Sequence, residues 1–364
     1  MAEDSKIEWT RHTFNHVRGC TKVSAGCQNC YAEAMSGRNH TVLGQWGPNG
    51  TRVVASEAMW KEPVQWDRKA KEKGERHRVF CASLADVFED WPGPMVDSRG
   101  DKLIRVGPGS ITDPRSGAAW KATGRFDEYD IRDLLTMQDV RGRLFRLIGA
   151  TPSLDWLLLT KRPQNVLRMT HDAWCPPVPA HVSQNEGDGH HWKYPSNVWL
   201  GTSVENQAAA DDRIPYLLKV PVRVRFLSCE PLLGPVDLSH WLGIYRPERA
   251  GANIPWSKGI ATPVSRIHWV IVGGESGPGA RPMQVEWARS LVEQCRVAGV
   301  KCFVKQLGSH PVQERSIVLN DGETVGDLIP LTGRLGKSLS DKKGGDVKEF
   351  PAALRVREFP EVIG

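Results

Sequence analysis

Three cysteines lie within eleven residues near the start of the chain: Cys20, Cys27 and Cys30. Thiolates grouped this closely in a chain without secretory features are typical of a soft-metal ligand set, either an iron–sulfur cluster or zinc, rather than of disulfides. Three thiolates are one ligand short of a closed site. In an iron–sulfur cluster the missing ligand leaves one iron open to a substrate or cofactor, so the odd number points towards chemistry.

A structural zinc site is the alternative for the same residues. His16 lies four residues before Cys20, and one histidine with three cysteines is a common tetrahedral zinc set. If the cysteines hold a cluster instead, His12 and His16 become polar residues near the site or simple surface histidines. The remaining cysteines are scattered singly, mostly in apolar segments, and are predicted to be buried free thiols: Cys81, Cys175, Cys229, Cys295 and Cys302.

Six short apolar runs, each followed by polar residues, predict the strands that position a site. Runs of this near-continuous kind are buried on both faces, as in parallel sheets. The predicted strands are 79–83, 156–160, 198–203, 222–228, 269–272 and 302–304. Helices are predicted within 130–148 and over 285–298, the second ending at Gly299. Alternating strands and helices predict an α/β fold, either an open doubly wound sheet or a complete or partial (β/α) barrel, with functional side chains at the carboxyl ends of the strands.

Long polar segments interrupt this alternation near 36–60, 91–127, 172–196 and 241–266. Loops of this length inside a compact domain are usually functional covers or disordered inserts. None carries enough periodic apolar sequence for a core of its own. We therefore expect one domain over 1–308 with these insertions, followed by a peripheral, β-rich appendage over 309–364.

An ordered series of motifs carries a family resemblance. It begins with Ile-Glu-Trp-Thr at 7–10 and the cysteine run at 19–33, and continues through 159–163, 198–206, 228–235 and 270–282 to Phe-Val-Lys-Gln at 303–306. Together these motifs resemble a phage- and prophage-associated branch of the radical S-adenosylmethionine (radical SAM) superfamily, distantly similar to spore photoproduct lyase. The resemblance implies a partial (β/α) barrel of the radical SAM type. It also implies a [4Fe–4S] cluster on Cys20, Cys27 and Cys30, with S-adenosylmethionine on the fourth iron.

Two features of the cysteine run depart from the common superfamily pattern. Six residues separate Cys20 from Cys27 where three are usual, and Asn29 precedes Cys30 where an aromatic residue is common. A loop can accommodate the extra residues and still present three thiolates. The Gly-Gly-Glu run at 273–275 also comes later than the glycine motif that usually binds the methionine part of the cofactor.

Polar residues at the predicted strand ends are the candidates for cofactor binding. Within a strand alternate residues share a face, so Ser203 lies on the face of Glu205, and Ser228 on that of Glu230. Facing a barrel lumen, they would contact ribose, the methionine amino group or substrate. A buried carboxylate needs a partner, and a structural ion pair with an arginine at 223, 225 or 281 is the alternative. The predicted cofactor-binding set is Ser83, Lys161, Ser203, Glu205 and Glu230.

Two further segments have alternative interpretations. Arg162, after the predicted strand 156–160, suits a bidentate contact with a carboxylate or phosphate, or forms a solvated pair with Lys161. The glycine-rich run at 273–279 lets a ligand approach the backbone closely, or forms a plain turn.

The resemblance implies an enzyme that cleaves S-adenosylmethionine reductively and uses the 5′-deoxyadenosyl radical on an unactivated carbon. Its implied setting is hypermodification of phage DNA, which evades host nucleases, for example as an isomerase rearranging an amino-acid adduct on a thymine methyl group. The partners would be DNA or a modified nucleotide and an electron donor such as flavodoxin or ferredoxin. A net charge of +6 permits an anionic partner. No apolar run approaches the ~20 residues of a membrane span, and no signal peptide is evident, so a cytoplasmic location is expected.

Other functions stay open at this stage. One is a radical DNA lesion lyase, and another is radical modification of a peptide or small molecule. A third is a non-catalytic, zinc-stabilised DNA-binding protein. Iron content separates the last from the others.

Overall fold

A computed structural model describes residues 2–3, 5, 7–105, 120–122, 134–175, 193–244, 266–318, 324–331 and 339–361. The chain divides into two compact units. The first unit comprises Met1–Leu200 and Val220–Arg223, and the second comprises Gly201–Lys219 and Val224–Gly364. Both combine parallel strands with helices, so the predicted α/β class is confirmed, and the architecture is compatible with a partial (β/α) barrel.

The strands in chain order are β1 (Ala2–Glu3), β2 (His12–Phe14), β3 (Val17–Arg18), β4 (Arg52–Val54), β5 (His77–Cys81), β6 (Met95–Val96), β7 (Leu103–Arg105), β8 (Trp120–Ala122), β9 (Leu154–Thr160), β10 (Val198–Ser203), β11 (Val224–Cys229), β12 (Trp269–Gly273), β13 (Met283–Gln284), β14 (Lys301–Gln306), β15 (Pro311–Val318) and β16 (Thr324–Pro330). The helices are α1 (Tyr31–Arg38), α2 (His40–Leu43), α3 (Glu57–Lys73), α4 (Met137–Ala150), α5 (Val166–Trp174), α6 (Gln207–Leu218) and α7 (Val285–Ala298).

Parallel strands form the centre of the first unit. Strand β5 pairs with β2 on one side and β9 on the other, both parallel, and β1 is added antiparallel to β2. A small separate sheet joins β3, β4 and β6. Aromatic rings pack in the core. The ring of Phe14 makes edge-on contacts with the rings of Trp60 and Trp156, at centroid distances of 5.3 and 5.7 Å. Because β2, β5 and β9 run in the same direction, residues that follow them emerge at one edge of the sheet.

The second unit has its own parallel strands, with β12 between β11 and β14. The ring of Trp269 lies among Phe226, Phe303 and Phe359, at centroid distances of 6.0, 6.2 and 5.5 Å. The C-terminal segment runs antiparallel beside β14, where the backbone N–H of Val304 donates to Val356 and that of Glu358 donates to Cys302. Residues 356–358 are thus part of this core rather than peripheral to it.

Most predicted elements are confirmed within about two residues. All six predicted strands are present, as is the helix over 285–298, which ends at Gly299 with φ +65°. Helix α4 begins at Met137, later than the predicted 130, because Thr136 and Asp139 form a reciprocal capping box there. The β-rich character of the tail is confirmed by the antiparallel pair β15 and β16.

The segment 36–60, predicted to be a polar insertion, contains regular secondary structure. It contains the end of α1, all of α2 and β4, and the start of α3. Large parts of the other three predicted insertions lie outside the described residues: 106–119 and 123–127, 176–192, and 245–265. Among the described helices, none is both long and apolar enough to cross a membrane.

Candidate functional site

The three clustered cysteines lie on one loop between β3 and α1. All three are free and half-buried. The loop leaves β3 through Gly19, whose φ of +114° favours glycine and where a Cβ would collide with the carbonyl of Thr51. Cys27 ends a short 3-10 helix over Ala25–Cys27, and Cys30 is the N-cap of α1. Within the described ranges, no group of three or more His, Cys, Asp or Glu side chains is placed to hold a metal ion.

Hydrogen bonds to the neighbouring residue fix the backbone beside Cys20. Every polar group of Thr21 is bound: its N–H donates to Glu89 Oε1 at 2.9 Å, and its carbonyl accepts from Arg162 Nη2 at 2.7 Å. Its hydroxyl accepts from Arg52 Nη2 at 2.8 Å. The carbonyl of Cys20 accepts from the N–H of Gly47. Several hydrogen bonds therefore anchor the backbone at the first cysteine of the loop.

Arg162, which follows β9, reaches the Cys20 sulfur itself. Its Nη1 lies 3.7 Å from Cys20 Sγ and 2.9 Å from Asp86 Oδ2, and its Nη2 lies 3.4 Å from Glu89 Oε1. The residue is only 7% exposed, so its interpretation as half of a solvated pair is wrong. The predicted carboxylate contact is present, but its partners belong to the protein.

The two carboxylates beside Arg162 are themselves held by several donors. Asp86 accepts from Thr160 Oγ1 at 2.7 Å and from the backbone N–H of Lys161 at 3.1 Å. Glu89 accepts two hydrogen bonds from Arg52, at 2.6 and 2.8 Å. Two arginines thus balance two carboxylates in a buried network, which avoids leaving any of these charges without a partner.

Burial and the neighbouring carboxylates outweigh Arg162 in their effect on Cys20. Burial, together with Asp86 and Glu89, raises the pKa of the Cys20 thiol to about 12, although Arg162 lowers it. Burial also lowers the pKa of Arg162, but Asp86, Cys20 and Glu89 outweigh this and raise it overall. Arg162 therefore stays protonated beside a thiol that is neutral without a metal. A metal that binds here must displace the Cys20 proton.

Ser83 and Lys161 lie at the same strand edge as the cysteine loop. Ser83 lies two residues beyond β5, and its Oγ is 3.0 Å from Asn15 Nδ2. The hydroxyl of Tyr31, directly after Cys30, donates to the Ser83 carbonyl at 2.7 Å. Lys161 is half-buried and follows β9. The structure therefore brings these two predicted residues near the loop.

Both histidines near the loop are buried, so of the two alternatives for them the surface position is wrong. His16 is 0% exposed, its Nδ1 lies 3.9 Å from Cys81 Sγ, and its Nε2 has no hydrogen-bond partner among the described residues. Burial lowers the pKa of His16 to about 3, with Arg141 adding to the effect and Asp86 opposing it. His12 stacks on Trp66 and its Nε2 lies 3.1 Å from His77 Nδ1. The five scattered cysteines are buried thiols that form no disulfide, as predicted.

In the second unit, Ser203 and Glu205 share one arginine. Arg213 Nη1 donates to the Ser203 carbonyl at 2.8 Å and to Glu205 Oε2 at 2.7 Å. Glu205 is only 1% exposed and Arg213 is 5% exposed. The expectation that Glu205 needs a cationic partner is confirmed. Arg213 forms the ion pair, and Arg281, one of the arginines considered from the sequence, also interacts electrostatically with Glu205.

Glu230 also has a partner, at the end of β11. Its Oε1 accepts from Lys305 Nζ of β14 at 2.9 Å. A Cβ at Gly273 would lie 2.5 Å from the same Glu230 oxygen, and one at Gly274 would meet the Leu307 carbonyl. The close approach predicted for the glycine run is thus made by protein atoms. Glu275 forms an ion pair with Arg281, with Glu275 Oε1 and Arg281 Nη2 2.6 Å apart.

Sequence reasoning missed four residues that hold the cysteine loop: Thr21, Arg52, Asp86 and Glu89. Asp86 follows a predicted strand, and this position was the available signal. Arg52 and Glu89 lie 32 and 69 residues beyond Cys20 and belong to no motif that predicts a contact with it. Arg52 begins β4, which pairs with β3 next to the loop, and a buried ion pair joins Glu89 to Arg52.

The protein is thus of the α/β class, and its cysteine loop lies beside one strand edge. The chain belongs to the family described as Protein of unknown function (DUF5131), whose model matches residues 4–98 and 127–347. No curated protein and no solved structure matches the chain.

Proposed function

We propose that this protein is a radical SAM enzyme whose Cys20, Cys27 and Cys30 hold a [4Fe–4S] cluster. The observation that carries the proposal is the set of three free, half-buried thiols on one loop, the first of them in contact with a buried guanidinium. Thiolates are the usual ligands of such a cluster, and hydrogen bonds to its sulfurs are a usual determinant of its potential. The donor set therefore fits the group.

The chemistry supplied by a cluster with bound S-adenosylmethionine is reductive cleavage of the cofactor and removal of a hydrogen atom from the substrate. The protein's part is to bind and orient the reactants and to exclude water. Ser83 and Lys161, near the loop, would contact the cofactor through a hydroxyl and an ammonium group. The cofactor roles of Ser203, Glu205 and Glu230 stay predictions, and the Arg213 contact favours a supporting role for Glu205.

We further propose a base in DNA, such as a modified thymine, as the substrate. The support is the sequence resemblance to phage-associated enzymes and the mildly basic charge of +6. A base inside a duplex must leave the stack to reach an active site. The reaction would be a carbon-centred rearrangement of an adduct on the thymine methyl group.

The test is product analysis under anaerobic reduction. Reduced protein with S-adenosylmethionine should release 5′-deoxyadenosine and methionine, and should convert an oligonucleotide that carries a modified thymine. Deuterium on the adduct should appear in 5′-deoxyadenosine. No cleavage of the cofactor by protein with a full cluster would overturn the enzymatic proposal.

A substrate panel in the same assay separates the alternatives. Deuterium transfer from a free nucleotide or a peptide, without transfer from the oligonucleotide, would replace the DNA substrate. Repair of a lesion within a DNA strand would identify a DNA lesion lyase. Stoichiometric zinc without iron uptake would identify a zinc-stabilised protein.

A further inference from the structure

We propose that Arg162 is a positioning residue that sets the reduction potential of the cluster through its hydrogen bond to the Cys20 sulfur. This inference rests on the proposed function, because it requires the cluster on Cys20. It adds a role for a residue that no cysteine motif predicts.

The geometry places one guanidinium on both the sulfur and the backbone of the same ligand segment. Nη1 lies 3.7 Å from Cys20 Sγ, and Nη2 donates to the carbonyl of Thr21 at 2.7 Å. The planar fork of arginine makes both contacts at once, which a lysine ammonium on a flexible stem does not reproduce. Of the three loop thiols, only that of Cys20 has a guanidinium contact among the described residues.

The surrounding carboxylates keep Arg162 in this place. Asp86 accepts from Nη1 at 2.9 Å, and Asp86 is itself fixed by Thr160 Oγ1 at 2.7 Å. Glu89 lies 3.4 Å from Nη2 and is held by Arg52. With both anchors buried, the guanidinium has little freedom to turn away from the sulfur.

Charge predicts the direction of the effect. Reduction adds one electron to the cluster and its thiolates, while Arg162 stays protonated and no bond forms or breaks. The nearby guanidinium stabilises the more negative reduced state and so raises the potential. Removing it has two consequences with the same sign: the donor to sulfur is lost, and Asp86 and Glu89 lose part of their compensation. Both disfavour the added electron.

The experiment is a redox titration of reconstituted protein, with one electron supplied by a dithionite-class reductant. We expect Arg162→Gln to lower the midpoint potential. Loss of this charge-assisted hydrogen bond should lower the equilibrium constant for reduction about tenfold, which is about 59 mV for a one-electron couple. Arg162→Lys keeps the charge but loses the fork, so its potential should fall between the two. Arg168→Gln is the matched control, because Arg168 is an exposed arginine paired with Asp90 in the same unit.

The outcomes separate this inference from the proposed function. If wild-type protein takes up no iron, the proposed function fails before Arg162 is tested. If the cluster forms and both Arg162 variants keep the wild-type potential, even with a lower melting temperature, Arg162 is only a structural support and the inference is wrong. Loss of the cluster from both variants, in protein with native circular dichroism, also overturns it, because a tuning donor is not needed for assembly.

Discussion

Cys20 and Arg162 differ in how visible they are in the sequence. The cysteine run is a local pattern, so its spacing alone predicts a metal centre. Arg162 was noticed as a candidate for anion binding, but its contact with Cys20 joins residues 142 positions apart. Arg52 and Glu89 had no signal, because single charged residues are common on any surface and only the fold shows that these two are buried.

Buried His16 should make stability fall in mild acid. Its pKa is lowered to about 3 in the folded protein, whereas the unfolded chain has the ordinary 6.5. Above pH 6.5 the residue is neutral in both states. As pH falls from 6.5 towards 3, the unfolded state binds the proton first, so the free energy of unfolding decreases by up to about 1.4 kcal/mol per pH unit.

The check is urea unfolding of His16→Asn and wild-type protein at pH 7 and pH 5. The variant should lose about 1–2 kcal/mol less than the wild type over this interval. His171→Asn is the control, because His171 is an exposed histidine in the same unit. An equal acid slope in wild type and His16→Asn would show that His16 is not the group responsible.

The buried ion pair of Glu205 and Arg213 should be needed for stability. Glu205→Gln leaves the Arg213 charge poorly compensated at a buried site, so the free energy of unfolding should drop by about 3–5 kcal/mol. Replacing both residues by Met should restore much of this loss, because no uncompensated charge remains. Denaturant unfolding measures both effects.

An exposed pair on α7 provides the comparison. Glu293→Gln removes a surface contact with Arg296 and should change stability far less than Glu205→Gln does. Unchanged stability of Glu205→Gln together with weaker S-adenosylmethionine binding would make Glu205 a direct cofactor contact instead.

At the level of elements, strands were easier to predict than helix starts. Runs such as Leu154–Thr160 are apolar almost throughout, because both faces of a parallel strand are buried, and they are recognisable without knowledge of their partners. The start of α4 depends on a cap instead. Asp139 takes the position that Glu or Gln holds in the usual capping box, so the signal at Thr136 was weak.

The cap of α4 gives a prediction at this scale. Thr136→Ala removes the side-chain acceptor for the Asp139 N–H, so the first unit should lose about 1 kcal/mol of stability. Because α4 carries Arg141, which binds the carbonyls of Val87 and Glu89, the loop with Glu89 should also exchange its amide hydrogens faster. Hydrogen exchange with mass spectrometry measures this.

Thr136→Ser is the matched control, because serine keeps the hydroxyl and should retain nearly all of the stability. Exchange in the 86–90 segment that is as slow in Thr136→Ala as in wild type would show that the cap does not support this loop.

For the whole molecule, the sequence predicts the class of fold, but it does not predict the division of the chain into two compact units. Alternation of strands and helices is a global pattern that single errors do not erase. The division into two units places a boundary within β10, between Leu200 and Gly201, where the sequence has neither a linker nor a change of composition. Apolar residues of the tail, such as Phe350 and Phe359, are widely spaced, and this pattern predicts a peripheral segment. Phe350 is nevertheless buried, and Phe359 packs on Trp269.

The positive net charge of the molecule leads to a prediction about DNA binding. If the substrate is a polymer, affinity for an oligonucleotide should fall steeply between 50 and 200 mM salt, roughly linearly in a double-logarithmic plot, as lysine and arginine contacts displace counterions. Fluorescence anisotropy with a labelled oligonucleotide measures the slope. Absence of binding at low salt would favour a nucleotide or other small substrate.

The most direct test of the central claim is the metal content of anaerobically reconstituted protein. We predict about four iron and four sulfide per chain, with a broad visible absorption that bleaches on reduction. Alanine at Cys20, Cys27 or Cys30 should abolish the cluster, whereas Cys175→Ala, at a buried thiol outside the loop, should leave it unchanged. A chain that binds one zinc and no iron, or one that keeps its cluster without the three loop cysteines, would contradict the account.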